Sequence, residues 1–92
     1  MTGSFEWDEV KRLQNLAKHG VDFRRAVQIF EGTVLELTDD RRDYGEPRIR
    51  CLGTIGGRVY VVVYTWRGGN RRIISAWKAN DRDERAYYAR NA

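Results

Sequence analysis

Apolar residues at Val10, Leu13 and Ala17, widened by Leu16, recur at helical spacing and leave Lys11, Arg12 and Lys18 on the outside. Asp8 stands where a side-chain oxygen can cap the first free amides of such a helix. His19-Gly20 supplies the stop, because glycine takes the left-handed closing turn and the basic Lys18 and His19 suit the negative end of the helix dipole. Asp22 opens a second helix with Phe23, Ala26, Val27 and Phe30 as its stripe and Gly32 as its end. Phe5 and Trp7 precede the first helix as a short extended lead-in or staple.

After Gly32 the period falls from helical to alternating. Residues 33–38 read as a first strand with Leu35 and Leu37 on one face. Residues 39–47 are polar, hold Gly45 and the only proline, and form the longest loop. Alternation resumes over 48–55, with Ile49, Cys51 and Ile55 facing one way and Arg48, Arg50, Leu52 and Thr54 the other. Gly56-Gly57 predicts a tight hairpin into a β-branched and aromatic strand over 59–66, and Arg67-Gly-Gly-Asn70 a second hairpin into a strand over 71–77. In the third strand Val59, Val61, Val63 and Thr65 offer the cleaner apolar face and are assigned to the core. Tyr60, Tyr64 and Trp66 then lie either exposed or under the helices.

Asp81 and Glu84 have capping-box spacing and predict a last helix over 82–90, with Ala86, Tyr87 and Ala89 on the sheet. The expected fold is α+β: two N-terminal helices, a four-stranded antiparallel sheet and a C-terminal helix, the helices packed on one sheet face and the other face open. With 92 residues, a single domain over 1–92 is the economical reading. There is no internal repeat and no linker.

Composition narrows the class. At 41% hydrophobic and 33% charged, the chain is too apolar for a disordered tail and too charged for a membrane protein. No run approaches a membrane span and the N-terminus lacks the layout of a signal peptide, so the cytoplasm is the expected compartment. One cysteine and one histidine make neither an internal disulfide nor a Cys/His metal set, and Cys51 reads as a small buried apolar residue. The net charge of +4 points to an anionic partner. From Pro47 to Asn80 the chain carries Arg48, Arg50, Arg58, Arg67, Arg71, Arg72 and Lys78 and no Asp or Glu. That run predicts a positive surface suited to phosphate, or else arginines on the solvent side of an ordinary sheet.

Several blocks carry a family likeness. Phe5-x-Trp7-Asp8, Lys11, Asn15, Lys18-His19-Gly20-Val21 and Phe23 come first, followed by Asp40-x-Arg42-x-Tyr44-Gly45-Glu46-x-Arg48. Tyr64-Thr65-x-Arg67, Arg72-Ile73-Ile74-Ser75-Ala76 and Lys78-Ala79 follow in order. Together they resemble the BrnT toxins over about nine-tenths of the chain. The resemblance implies a RelE-like fold and a ribonuclease activity that blocks translation. It also implies a ribbon-helix-helix antitoxin of the BrnA kind as partner, and a toxin dimer within a heterotetramer. The family's Ile-Ser-Ala-Arg ends here as Ile74-Ser75-Ala76-Trp77, so a guanidinium suited to the scissile phosphate is replaced by an indole. This is either natural divergence or a substitution that weakens toxicity.

Metal-independent RNA cleavage needs a base near the 2′-hydroxyl, cations on the phosphate and an acid at the leaving 5′-oxygen, and no cofactor. Arg67 and Arg72 are the first candidates for the phosphate, with Arg48 and Arg58 behind them and Arg50 as a further RNA-binding residue. Alternation puts Arg72 on the face opposite Ser75 and Trp77 unless a bulge intervenes. His19 is the one side chain type that titrates near neutrality, though a helix-terminal role also accounts for it. Lys78, Glu46 and Tyr64 are further proton-transfer candidates, and Glu46 can instead orient an arginine. Tyr64, Trp66 and Trp77 offer rings on which bases stack. The competing reading is a non-catalytic basic protein that docks nucleic acid or an acidic protein.

Overall fold

The computed structural model describes residues 4–41 and 43–90. It has an α+β architecture: β1 (Phe5–Glu6), α1 (Glu9–His19), α2 (Phe23–Ala26), a 3-10 helix (Val27–Glu31), β2 (Leu35–Thr38), β3 (Ile49–Ile55), β4 (Arg58–Arg67), β5 (Asn70–Lys78) and α3 (Asp81–Arg90). β2 to β5 form the expected antiparallel meander. The sheet nevertheless has five strands, in the order β1-β5-β4-β3-β2, because the lead-in pairs in parallel with β5 at Phe5↔Arg71 and Glu6↔Arg72. Its two residues are too short to show alternation in sequence. The second helix also departs from expectation: Asp22 caps it, but after one α turn it tightens to 3-10 geometry before Gly32. None of the helices among the described residues is long and apolar enough to cross a membrane.

Both faces of the sheet are covered, which corrects the expectation of one open face. Phe23, Ala26, Ile29 and Phe30 pack with Cys51, Tyr60, Val62 and Tyr64 on one side. Tyr87 of α3 and Ala79 pack with Leu52, Val59 and Val61 on the other. The cause lies in β4, whose residues from Val59 to Thr65 are all buried. An apolar strand with no polar side must be covered twice. Close approach is built in at Gly53, where a Cβ would meet Ile29 Cβ at 2.7 Å. Cys51 is buried as expected, and burial pushes its thiol up to about 12. α3 starts one residue earlier than the capping box implied. Asn80 Oδ1 accepts from the Asp83 amide at 2.8 Å, so Asn80 and not Asp81 is the cap.

α1 inverts its predicted orientation. Val10 is 61% exposed and Leu13 52%, while Asn15 is 7% exposed and the Arg12 side chain 11%. The helix lies beside the outer edge of β5 instead of over the sheet. There the Ala76 backbone points away from β4 and meets the Asn15 amide: Asn15 Nδ2 donates to Ala76 O at 2.8 Å and the Ala76 amide donates to Asn15 Oδ1 at 3.1 Å. The same Nδ2 donates to Val21 O at 2.9 Å, tying the α1–α2 connection to the strand. Arg12 adds a second polar tie, pairing with Glu9 and with Asp22 at 2.9 Å. An edge strand presents unpaired amides and carbonyls, and an inward polar face answers them where leucine cannot.

β5 is irregular at a point that matters for function. Ser75 faces Val63 and Ile73 faces Tyr64, so Ile74 is an extra residue. This bulge shifts the alternation and puts Arg72, opposite Thr65, on the same face as Ser75 and Trp77.

Three carboxylates brace this arrangement, each held below the ordinary carboxylate range. Glu6 accepts from Asn70 and Arg72, Asp22 from Arg24 and its backbone amide, and the buried Asp39 from Arg41, in every case against the opposing effect of desolvation. A carboxylate whose folded pKa is depressed stabilises the fold above its unfolded value and loses that contribution as pH falls through the folded value. Stability is therefore expected to be level near neutrality and to decline below about pH 4, with Asp39→Asn flattening the decline in denaturant titrations at successive pH values. Asn15→Ala leaves the Ala76 and Val21 backbone groups without these partners and is expected to cost about 2–3 kcal/mol in urea unfolding. Asn15→Asp should recover only part of this, since a carboxylate accepts from the Ala76 amide but donates to neither carbonyl.

Candidate nucleic-acid interface

One flank of α1, the loop after β2 and the end of β5 surround an open depression of about 960 Å³. Its lining is Lys11, Lys18, His19, Arg41, Tyr44, Arg48, Ser75, Trp77 and Lys78, with no carboxylate among them. Lys11 and Lys18 are seven residues apart on one flank of α1, and the Asn15 tether turns that flank toward the strand. Trp77 comes from the β5 end, where the His19 ring sits 5.9 Å from it and the Arg41 guanidinium 5.5 Å from the indole centroid. Tyr44 stacks under Arg48 at 3.9 Å.

Two anchors hold the arginines here. Arg41 makes a two-pronged contact with Asp39, Nε to Oδ1 at 2.7 Å and the second nitrogen to Oδ2 at 2.9 Å. The Asp39 carboxylate holds the Arg41 guanidinium above its ordinary range, so it is a fixed cation. The loop itself is closed at its base by the Asp39 amide donating to Arg48 O at 2.9 Å. Arg48 is paired with Glu46 at 3.6 Å. Lys11, Lys18 and Lys78 pair with no carboxylate among the described residues, so their charge is open to a ligand.

Of the residues picked out in the sequence, His19, Trp77, Lys78 and Arg48 meet in the depression. Glu46 is adjacent and orients arginines, bridging Arg48 and Arg67, the latter at 3.5 Å. Arg72 shares the Trp77 face but is bound to Glu6 at 2.8 Å and does not line the depression. Arg50 pairs with Asp83 of α3 at 3.5 Å. Arg58 lies by the β3–β4 hairpin, where it reaches Ala79 O at 3.5 Å. Tyr64 is not a surface ring: it is fully buried between Phe30 and Trp66, and it donates to Glu36 at 2.8 Å. Buried this way its ring cannot stack on a base, and burial pushes its hydroxyl up to about 12. Trp66 is 52% exposed, on the sheet face opposite Trp77.

The acid-free run is thus not an acid-free surface. Glu6 of β1, Glu46 of the loop after β2 and Asp83 of α3, all outside the acid-free run, fold back onto Arg72, Arg48, Arg67 and Arg50. Within the depression, the positive charge without an acidic partner is that of Lys11 and Lys18 on α1 and of Lys78. Lys11, Lys18, Arg41, Tyr44 and Ser75 were not singled out as site residues. All five lie within the family-like blocks, Arg41 only as the unspecified position between Asp40 and Arg42. Arg42, which does belong to those blocks, lies outside the described residues.

Comparison with known proteins bears on this geometry. The chain has no match among curated proteins. Residues 7–83 match the family described as the ribonuclease toxin, BrnT, of type II toxin-antitoxin systems. The match spans α1, the whole meander and the start of α3, and with it every residue that lines the depression. On that match the chain belongs to the BrnT family of type II toxin-antitoxin ribonuclease toxins, whose partner is an antitoxin and whose substrate is RNA.

Proposed function

We propose that the depression between α1 and the end of β5 is where this toxin holds single-stranded RNA and cleaves it without a metal. The observation that carries the reading is the lining: lysines, arginines and a histidine converge there with the rings of Tyr44 and Trp77 and no carboxylate. Lysines without acidic partners attract a phosphate, and the fixed fork of Arg41 adds a directional donor. Trp77 and Tyr44 offer faces on which unpaired bases stack.

His19 is the proton-transfer group of this reading. As a base it takes the proton of the 2′-hydroxyl while the 2′-oxygen attacks phosphorus. The 5′-oxygen leaves with a proton supplied by an acid, for which Lys78 and water are the neighbouring sources. The products are a 2′,3′-cyclic phosphate and a free 5′-hydroxyl. Lys11, Lys18, Lys78, Arg41 and Arg48 hold the charge that builds on the phosphate. Trp77 stands at the position the family fills with arginine, so turnover here is below what the site can support. The family likeness supports an antitoxin of the ribbon-helix-helix kind and a heterotetramer built on a toxin dimer.

Incubation of the purified toxin with end-labelled single-stranded RNA and excess chelator is expected to yield discrete fragments with 2′,3′-cyclic phosphate ends. His19→Ala should slow cleavage about a hundredfold or more with RNA affinity little changed. Lys78→Ala should weaken RNA binding and reduce its salt slope by about 0.7. Trp77→Arg should raise turnover and deepen growth arrest on induction, and equal activity of both versions would remove the role given to that position. Salt-sensitive binding with no cleavage in any version would support the non-catalytic reading instead.

A further inference from the structure

A buried carboxylate stands behind the depression without touching its open space. Asp39 follows β2 directly, and its amide donates to Arg48 O at 2.9 Å, so its backbone is fixed by the sheet. Its side chain is fully buried, while that of Arg41, two residues into the loop, is half exposed. Through Asp39 the sheet holds a long side chain that the loop alone would leave free among many rotamers. The contact is also directional. Asp39 takes the Nε edge of the guanidinium, Nε to Oδ1 at 2.7 Å and the second nitrogen to Oδ2 at 2.9 Å. A guanidinium has a further edge, formed by its two terminal nitrogens, and that edge turns away from the carboxylate. The Trp77 ring, with its centroid 5.5 Å from the guanidinium carbon, bounds the swing of Arg41 on the strand side.

Charge alone does not account for this pair. A carboxylate beside Arg41 offsets much of the field that the arginine would add, and Lys11, Lys18 and Lys78 already attract a polyanion. What the pair adds is orientation. We propose that Asp39 is a positioning residue for RNA cleavage: it holds Arg41 by one edge so that the other edge clamps the scissile phosphate as negative charge builds on it. The proposal rests on the depression being the cleavage site. A donor set in place beforehand matters most in the transition state, so its loss falls on turnover more than on binding.

The test measures single-turnover cleavage of end-labelled single-stranded RNA by the full chain in excess chelator. Affinity is read separately, on the same RNA carrying 2′-O-methyl groups, which cannot be cleaved. Asp39→Asn accepts at one oxygen only and sets an amide N–H against the other guanidinium nitrogen, so Arg41 loses its orientation while the site gains one positive charge. Cleavage at saturating RNA should fall about thirtyfold, with affinity equal to wild type or up to about threefold tighter. Arg41→Lys keeps the charge and removes the fork, and should slow cleavage about a hundredfold at similar affinity. Because Asp39 acts through Arg41, the double variant should be no slower than Arg41→Lys alone. Losses that multiply in the double variant would overturn the proposal, as would a loss of affinity that accounts for the slower reaction, which is what a merely loop-shaping carboxylate predicts. The Arg41 side chain is half exposed, so Arg41→Lys keeps the fold, and wild-type cleavage in that variant overturns the proposal even if Asp39→Asn unfolds. Cleavage that His19→Ala abolishes and Asp39→Asn leaves intact would sink the positioning role alone. No cleavage by either the wild type or Trp77→Arg would sink the cleavage site and the positioning role together.

Discussion

A side-chain amide at the edge of a sheet sets the geometry on which the remaining features depend. Asn15 completes the hydrogen bonds of Ala76 and Val21, and so it substitutes for a neighbouring strand where β5 runs on past the two-residue β1. Because the amide both donates and accepts, it fixes the roll of α1 about its own axis as well as its position. Everything else about the helix follows from that roll. Arg12 turns in toward Asp22, Lys11 and Lys18 turn toward the end of β5, His19 meets Trp77, and the leucines face outward. A helix packed by its apolar stripe would have sent those lysines into solvent away from the strand.

The second constraint is electrostatic. This chain gathers arginines in its middle and then brings acids to them across the fold, so that charge separated in sequence is joined in space. Those pairs serve architecture: Glu6 ties β1 to β5, Asp83 ties α3 to β3, and Glu46 ties the long loop to the ends of β3 and β4. Such partly exposed pairs contribute little each, yet they consume the positive field that the arginines would otherwise project. At the depression, lysines from a helix and from a strand end converge without acids. A smaller and sharper basic site results than a uniformly charged sheet face would give.

Covering the sheet on both sides leaves limited room for a site. With α2 and the 3-10 helix on one face and α3 on part of the other, the open ground is the end of β5 beyond the reach of α3. The bulge at Ile74 belongs to the same design, since it aligns Arg72, Ser75 and Trp77 on the face opposite the large core while Ile73 and Ala76 stay buried beneath the helices. Without the extra residue the strand would have had to choose between packing and display.

Local signals were sufficient for elements whose cause is local. Asp8 and Asp22 as caps, Gly20 and Gly32 as stops, the two double-glycine hairpins and the alternating meander all depend on neighbours within a few residues, and the structure has each of them. The family blocks were legible too, since they are a property of the chain as written. Three features depended on tertiary structure: which way α1 faces, which arginines are neutralised, and whether Tyr64 meets solvent or core. An apolar stripe seeks burial only if an apolar surface is offered, and beside β5 the surface on offer was a strand edge that an asparagine satisfied better than a leucine. Arg72 and Glu6 are distant in sequence and adjacent in space, and β4 carries apolar side chains on both faces, so periodicity could not say which would be covered. Periodicity reports what a segment prefers, and the sheet edge, the ion pairs and the second layer of helices decided what it received.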